Sequence, residues 1–358
     1  MLAELFLHAR CQVVALIPDE AAVEAINNLA NPAYQAILHH AEVKTKYLRR
    51  NWQPLTQACQ QAEHQFGKPD LVFLPYLDNL LFPTWQRLPW LKERAFELLF
   101  PYHWAGLYFH PGYQPYAASE QMLNYRRCAG IGILNPLDRE RLARSMPHAR
   151  LLPFPDIADF AVDTGSNSLI NELQARANGR PIIASVGVQA RRKGLITMLD
   201  MAQLPGAENF FFFTGGEVRD SLLEPYEINR IAALAANPPL NLWLHPHKIA
   251  TEGLYNRIIQ QADAVYVGYQ NFPSSSNTLT KAAYFNRPIL ASETDYIGLA
   301  TKKYSLGQTF NAYNPAAGLD ALQTIRQWPT SEAGRQAFLA INSIESARAF
   351  IKTLLQTI

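Results

Sequence analysis

The sequence is short of cysteine, of net charge and of long hydrophobic runs, and each shortage excludes a class of protein. The three cysteines, Cys11, Cys59 and Cys128, lack metal-site spacing and leave one thiol over in any disulfide scheme, which favours a reducing, cytoplasmic compartment. A net charge of +2 is too small to indicate a nucleic-acid-binding protein. No apolar run approaches the ~18 residues that cross a bilayer, and the N-terminal residues lack the basic and apolar regions of a signal peptide.

The remaining composition is that of a folded protein with two domains. The chain has 358 residues, of which 48% are hydrophobic and 17% charged, and this length accommodates two cores of ordinary size. A local basic region near the N-terminus contains Lys44, Lys46, Arg49 and Arg50, next to aromatic residues. Such a region is compatible with peripheral contact to anionic lipid, although a solvated helix face is the commoner meaning of the pattern.

Short apolar segments alternate with amphipathic segments along residues 178–330. The apolar segments are 181–187, 209–216, 241–246, 262–269 and 287–292, and the helical patterns lie near 194–203, 225–236, 252–261 and 276–286. This alternation predicts a parallel sheet covered by helices on both faces. In such sheets ligands bind beyond the carboxyl ends of the strands.

The first part of the chain, residues 1–165, shows the same alternation less regularly. Strands are expected at 11–19, 70–78, 104–111 and 130–136. The chain opens with a helical pattern over 1–10, so either the usual first strand and glycine loop lie outside this sequence or the domain is built differently. The polar stretch 161–180 is the predicted linker, and residues 331–358 are predicted to be helical and available to complete the first domain. The fold class is therefore α/β, with two doubly wound, Rossmann-like domains, residues 1–165 and 178–330, and a cleft between them.

The segment PIIASVGVQARRKG, residues 181–194, combines the features of an anion-binding site. A strand ends at Gly187, three cations follow at Arg191, Arg192 and Lys193, and Gly194 opens a helical pattern. A helix N-terminus supplies free N–H groups and positive potential, and the cations add charge-assisted hydrogen bonds. A diphosphate is the anion that best matches this combination, and a solvated basic loop is the alternative.

The same loop, and the order of segments after it, resembles the family 4 glycosyltransferases, which have the GT-B fold. Gly187 and Gly194 match the spacing of two family glycines and Lys193 matches the family lysine, while the family arginine falls on Val188. The strand FFFTGG resembles the family strand that ends in paired glycines, here Gly215 and Gly216. The resemblance covers about residues 181–330 and extends to the first half only at the level of fold.

The resemblance implies an enzyme of polysaccharide or glycoconjugate synthesis that moves a sugar from a nucleotide-diphosphate donor to an acceptor hydroxyl. It further implies retention of configuration, no obligatory metal and no cofactor besides the donor. In such an enzyme Lys193 and one of Arg191 and Arg192 would stabilise the departing diphosphate, with Gly187, Gly215 and Gly216 lining its site. The acceptor is left open as a saccharide, a lipid-linked group or a small molecule.

The family pattern is broken where two glutamates are usual. The alignment places them at Pro273 and Lys281, and between these positions the chain has Ser274, Ser275, Ser276 and Asn277. Serine and asparagine are the preferred N-cap residues, so capping of the helix near 276–286 is one interpretation. The other is that these residues and Lys281 bind phosphate oxygens.

Candidates on the acceptor side are fewer. His110, at the end of the strand predicted over 104–111, could orient or deprotonate a hydroxyl, although a structural role is the commoner one at such a position. Asp78 is interpreted as a turn residue and Asp156 as a contact at the hinge between the domains. His245 and His247 are interpreted as incidental to the nucleobase loop.

Three other functions are compatible with the sequence. The first is a GT-B protein that lost catalysis with its glutamates and acts as a sugar-nucleotide-binding or scaffold protein. The second is a nucleotide-sugar epimerase, whose acid and base would have to come from Glu293 and Asp295. The third is a lipid-surface protein that uses the basic region near the N-terminus.

Overall fold

The computed structural model describes residues 2–17, 19–29, 31–38, 48–78, 80–81, 89–111, 120–324, 327–328 and 330–358. The chain forms two compact units. Unit 1 comprises residues 1–155 and 344–358, and unit 2 comprises residues 156–343. No helix in the described part of the chain combines the length and the hydropathy needed to cross a bilayer.

Unit 1 contains two parallel sheets. Its helices are α1 (Leu2–His8), α2 (Glu20–Asn27), α3 (Leu48–Phe66), α4 (Pro89–Leu99) and α5 (Pro136–Ser145), and its strands are β1 (Val13–Ile17), β2 (Tyr34–Leu38), β3 (Val72–Leu74), β4 (Trp104–Tyr108), β5 (Cys128–Ile133) and β6 (Leu151–Pro153). Strands β1 and β2 pair with each other, and β3 to β6 form a sheet in chain order. The core behind this sheet is aromatic, with Trp52 fully buried and in edge contact with Phe96 and Phe100.

The opening helix and the four strands predicted for this half are confirmed as α1, β1, β3, β4 and β5. The short strands β2 and β6 were not predicted. Of the basic region, Lys44 and Lys46 lie outside the described residues. Arg49 and Arg50 lie in α3, but their side chains are outside the described part, so membrane contact stays a prediction.

Unit 2 contains one six-stranded parallel sheet. Its helices are α6 (Ser168–Ala177), α7 (Leu195–Met201), α8 (Pro225–Ala236), α9 (Glu252–Gln261), α10 (Asn277–Tyr284), α11 (Asp295–Lys303), α12 (Pro315–Gln323) and α13 (Glu332–Ile341), and its strands are β7 (Ile182–Val186), β8 (Phe211–Gly215), β9 (Leu242–His245), β10 (Ala264–Val267), β11 (Ile289–Ser292) and β12 (Gly307–Phe310). The predicted alternation over 178–330 is confirmed. The final helix α14 (Ile344–Leu355) belongs to unit 1, whereas α13, which the sequence also assigned to the first domain, belongs to unit 2.

The strand order of this sheet decides where a ligand would bind. Side by side the strands run β12-β11-β10-β7-β8-β9, so the direction in which the chain adds strands reverses between β7 and β10. Such a reversal leaves a crevice at the carboxyl ends of the two central strands. The sheet is buried on both faces, because Phe211 and Phe213 belong to one apolar cluster and Phe212 to the other.

The structure corrects the linker predicted over 161–180. That stretch contains α6, whose N-terminus is capped by the Asn167 side chain. Ile170, Leu173 and Ala177 lie three and four positions apart and are buried against the sheet. The crossing between the two units lies earlier, at residues 155–156.

Candidate functional site

Two loops meet at the crevice of unit 2. The first, residues 187–194, follows β7 and contains a single 3₁₀ turn over Arg191–Lys193. The second, residues 268–276, follows β10 and leads into α10. The crevice loops, as we call them together, are joined directly, since the Gln270 N–H donates to the Arg192 carbonyl at 2.8 Å.

The backbone of the first crevice loop is firmly held, while Arg191 and Arg192 within it are exposed. The Gly187 N–H donates to the Gly215 carbonyl and the Gln189 N–H to the Glu217 carbonyl, both at 2.8 Å. The buried Gln189 side chain donates back to the Gly187 carbonyl at 3.0 Å. The backbone at the end of β7 is therefore tied to the segment that follows β8.

Two glycines are required by how closely these segments approach. Gly216 has φ +142°, and a Cβ there would overlap the Gly187 carbonyl. Gly194 has φ +68°, and a Cβ there would overlap the Gly268 carbonyl. Any side chain at either position would push apart the strand ends that form the crevice.

The three cations of the first loop have different surroundings. Arg191 is exposed and pairs with Glu224 at 2.8 Å and with Glu227 at 3.7 Å. Arg192 is also exposed, and its guanidinium lies 4.8 Å from the centre of the Phe272 ring. The sequence does not distinguish the two arginines. In the structure Arg192 is the one of the two that has no carboxylate partner among the described residues.

Lys193 is buried, with 7% of its surface exposed. Its ammonium donates to the Val186 carbonyl at 2.7 Å and lies 5.6 Å from the centre of the Tyr269 ring. Within the described ranges no carboxylate lies within 4 Å of it. A buried ammonium without a counter-ion is costly, and such a group is the natural partner of an anionic ligand.

The start of α10 distinguishes between the two interpretations of the serine cluster. Ser276 occupies the N-cap position with extended backbone, but its side chain makes no capping bond. Its hydroxyl instead donates to the Tyr269 hydroxyl at 3.3 Å. Ser274 is buried beside it. Helix capping therefore does not explain Ser276. The positive, N-terminal end of α10 faces the second crevice loop without a capping bond from the Ser276 side chain.

Tyr269 and Tyr255 are site residues that the sequence did not reveal. The Tyr255 hydroxyl donates to the Val186 carbonyl at 3.2 Å and bonds the Thr278 hydroxyl at 2.8 Å, and burial raises its pKa. Burial alone would also raise the pKa of Tyr269, but Lys193, Arg192 and hydrogen bonds with Ser276 and Thr278 hold it below its ordinary value. In the sequence both residues look like ordinary core aromatics, so no local signal could have found them.

Asp156 contacts the residues at the start of the same helix, α10. Its N–H donates to the Asn342 side chain at 3.0 Å, and Asn277 donates to the neighbouring Ile157 carbonyl at 2.9 Å. Burial raises the pKa of the Asp156 carboxyl to about 6, although Ser275 and Asn277 act to lower it. Ser275 and Asn277, at the start of α10, thus bond Asp156, the first residue of unit 2.

Replacing Asp156 by asparagine is expected to stabilise unit 2 in a pH-dependent way. The pKa of an unfolded aspartate is 3.8 and the folded value is about 6, so the folded state binds the proton more tightly. The wild type consequently loses stability as pH rises from 3.8 to 6, and the variant escapes that loss. Denaturant unfolding should show a gain for Asp156→Asn at pH 7.5 and little gain at pH 4. The exposed Asp320→Asn is the control, and an equal gain at both pH values would contradict the account.

Lys281 has partners other than a ligand. It is 1% exposed, pairs with Glu252, and donates to the Asn256 side-chain oxygen at 2.7 Å. Asn256 in turn donates to the Asp159 and Ala161 carbonyls. This chain of contacts holds the entry segment of unit 2 against α9, and a phosphate contact of Lys281 stays a prediction.

In unit 1 the candidate acceptor group is a histidine–aspartate pair at the end of β4. Asp78 is buried and accepts from the Phe109 and His110 N–H groups at 3.0 and 2.8 Å, and from the His110 ring Nδ1 at 3.1 Å. Asp78 is thus more than a local turn residue, since it binds a strand end 31 and 32 residues later. With Nδ1 held by a carboxylate, Nε2 is the ring atom suited to exchanging a proton with a ligand.

The remaining histidine pair lies at the end of β9, where the His245 carbonyl accepts from the Gly216 N–H at 3.0 Å. His245 ends β9, two strands from β7, and its ring centre is 5.4 Å from that of His247. Burial, with His247 beside it, lowers the pKa of His245, so it brings no positive charge at neutral pH. Among the described residues no cluster of three His, Cys, Asp or Glu side chains could hold a metal ion.

Comparisons with known proteins bear on the fold. No family model and no curated protein matches the sequence. Solved structures do match. Sucrose-phosphate synthase from Thermosynechococcus elongatus is 17% identical over 91% of this chain and 84% of its own, with a TM-score of 0.63. UDP-forming trehalose-phosphate synthase from Burkholderia xenovorans is 14% identical over 87% and 80%, with a TM-score of 0.64.

A third similar structure carries a different activity in its description. It is the N-terminal domain of trehalose-6-phosphate phosphatase from Candida albicans, 14% identical over 96% of this chain and 89% of its own, with a TM-score of 0.65. At these identities the likeness establishes the fold alone. The chain has the α/β architecture of the GT-B class, with parallel sheets in both units.

Proposed function

We propose that the protein is a glycosyltransferase that moves a sugar from a nucleotide-diphosphate donor to an acceptor hydroxyl, with retention and without a metal ion. The observation that carries the proposal is the buried Lys193 ammonium at the crevice, which has a carbonyl but no carboxylate beside it among the described residues. A diphosphate would supply the missing negative charge.

The chemistry of transfer needs what the crevice loops present. Negative charge builds up on the diphosphate as the bond to the sugar breaks, and fixed positive groups stabilise that charge without rearranging. Lys193 and Arg192 are the cations for this role, since Arg191 is occupied by Glu224. The start of α10, with Ser274 and Ser276, would hold the phosphate oxygens, whereas Ser275 and Asn277 already bond Asp156.

Two of the similar structures support this choice of substrate. They are described as a sucrose-phosphate synthase and a UDP-forming trehalose-phosphate synthase. The phosphatase domain with the same fold is a reminder that one fold serves several reactions. The proposal for this chain therefore depends on its own crevice and on direct measurement.

On the acceptor side we assign His110 as the group that orients or deprotonates the hydroxyl. Its ring is partly exposed, with 37% of the side-chain surface accessible, and is held through Nδ1 by Asp78. A carboxylate in that position fixes the orientation of the ring.

A panel of nucleoside diphosphates and nucleotide sugars in a thermal-unfolding assay tests the donor site. A true ligand at 100 times its dissociation constant adds about 2.7 kcal/mol of apparent stability. The donor found in this way is then given to a panel of acceptors, with and without a chelator. His110→Gln should lose transfer and keep the thermal shift. If no nucleotide shifts the unfolding temperature, the proposed function is wrong.

One observation favours a second candidate, a nucleotide-sugar-binding protein without transfer activity. The position that the family resemblance assigns to a glutamate is Lys281, and its ammonium is buried against Glu252. This position therefore has no carboxylate that could contact the donor. Binding of a nucleotide sugar with neither hydrolysis nor transfer would establish this candidate over the first.

A further inference from the structure

The two available cations of the crevice lie over a pair of aromatic rings. Tyr269 and Phe272, from the second crevice loop, contact each other edge to face with ring centres 5.2 Å apart. The Lys193 ammonium lies 5.6 Å from the Tyr269 ring and the Arg192 guanidinium 4.8 Å from the Phe272 ring. Cations within about 6 Å of an aromatic ring are attracted to its face, so one loop sets the positions of charges carried by the other.

Tyr269 also touches the start of α10. Its ring is 4% exposed, and its hydroxyl accepts from the Ser276 hydroxyl at 3.3 Å. Tyr269 thus connects the buried cation with the start of α10. These are the two positive features that the proposed diphosphate would bridge.

We propose that Tyr269 is a positioning residue of the diphosphate site that holds Lys193 and Ser276 in place. Partial proton uptake by its phenol when the diphosphate binds is the signature by which this role is measured. The inference rests on the proposed function for the identity of the ligand. It assigns a role that the family resemblance does not supply.

The proton uptake follows from the charges around the phenol. Lys193 and Arg192 face it from the first loop, Ser276 and Thr278 bond it from α10, and Tyr255 faces it from α9. Together the cations and hydrogen bonds hold the pKa of Tyr269 below its ordinary value against the effect of burial. A bound diphosphate engages the same cations and adds negative charge beside the phenol. The pKa must then rise, and the phenolate fraction takes a proton from the buffer.

Isothermal titration calorimetry in buffers of different ionisation enthalpy measures this proton. Nucleoside diphosphates and inorganic pyrophosphate are the probes, at about pH 8 to 9.5, below the ordinary tyrosine pKa of about 10. The wild type should take up protons in an amount that grows with pH. Tyr269→Phe should lose that uptake, and at the low end of this pH range, where the phenolate fraction is smallest, it should bind about fivefold more weakly because one hydrogen bond is lost. Comparison of the two proteins with the same ligand cancels the ligand's own titration.

Tyr102→Phe is the matched control, because Tyr102 is a buried tyrosine of unit 1 whose hydroxyl donates to Glu63. It should behave as the wild type. Equal proton uptake by wild type and Tyr269→Phe would overturn the role of Tyr269 and leave the proposed function standing. Uptake with pyrophosphate, without binding of any nucleoside diphosphate, would support Tyr269 and refute the proposed function. If neither probe binds, both are refuted.

Discussion

Replacing Lys193 by methionine is expected to remove transfer activity and to leave the protein at least as stable as the wild type. Loss of one group that stabilises developing charge costs about 2–4 kcal/mol in the barrier, or roughly 30- to 1000-fold in rate. Stability should not fall, because the wild type buries an ammonium that has no carboxylate partner among the described residues, and an apolar side chain of similar length removes that cost. The Val186 carbonyl keeps a donor in Tyr255. Steady-state kinetics and urea unfolding of the same preparation give both quantities.

Two arginine variants make this test specific. Arg191→Gln removes a cation that pairs with Glu224 and should change the transfer rate little. Arg192→Gln removes one that lies over Phe272 and should have an intermediate effect. If Lys193→Met turned over donor at the wild-type rate, the diphosphate site would be misplaced. If it lost stability and activity together, Lys193 would be a structural residue.

The architecture of unit 2 was predictable because the apolar pattern of each segment agrees with its burial in the folded sheet. Segments such as residues 211–213 are apolar on both faces, and the structure buries both faces. Helices between the strands begin at recognisable residues, for example Thr251, whose side chain caps α9. Helix α6 was missed because few of its residues, among them Ile170, Leu173 and Ala177, face the core, and the polar residues around them read as a linker.

The charges of the candidate site were predictable as a group but not one by one. Arg191, Arg192 and Lys193 are consecutive, and only tertiary structure decides which is paired. The partner of Arg191 is Glu224, 33 residues away, and the aromatic ring under Lys193 comes from Tyr269 in the second crevice loop. The same limit applies to Ser276, whose sequence position fits a helix cap but whose hydroxyl bonds Tyr269 instead. Periodicity carries no information about such contacts.

Replacing Gly216 by alanine is expected to give the largest loss of stability among the crevice variants. The position has φ +142°, and the new Cβ would overlap the carbonyl of Gly187, which is backbone and cannot rotate away. Forcing these strand ends apart, added to the backbone strain, should cost about 2–4 kcal/mol in the free energy of unfolding. Nucleotide binding should weaken as well, because Gly187 begins the loop that carries Lys193. Urea unfolding and the thermal-shift assay measure the two effects.

Gly179→Ala distinguishes the cost of the steric overlap at Gly216 from the cost of a positive φ. Gly179 lies in the same unit at φ +77°, but a Cβ there would have nothing within 4 Å. Its replacement should cost only the left-handed backbone penalty of about 1–2 kcal/mol and leave nucleotide binding unchanged. A larger loss at Gly216 with loss of binding would mean that the contact between the ends of β7 and β8 holds the cations in place. Equal losses in the two variants, with binding intact in both, would mean that the crevice tolerates separation of these strand ends and that Lys193 is positioned by the second crevice loop alone.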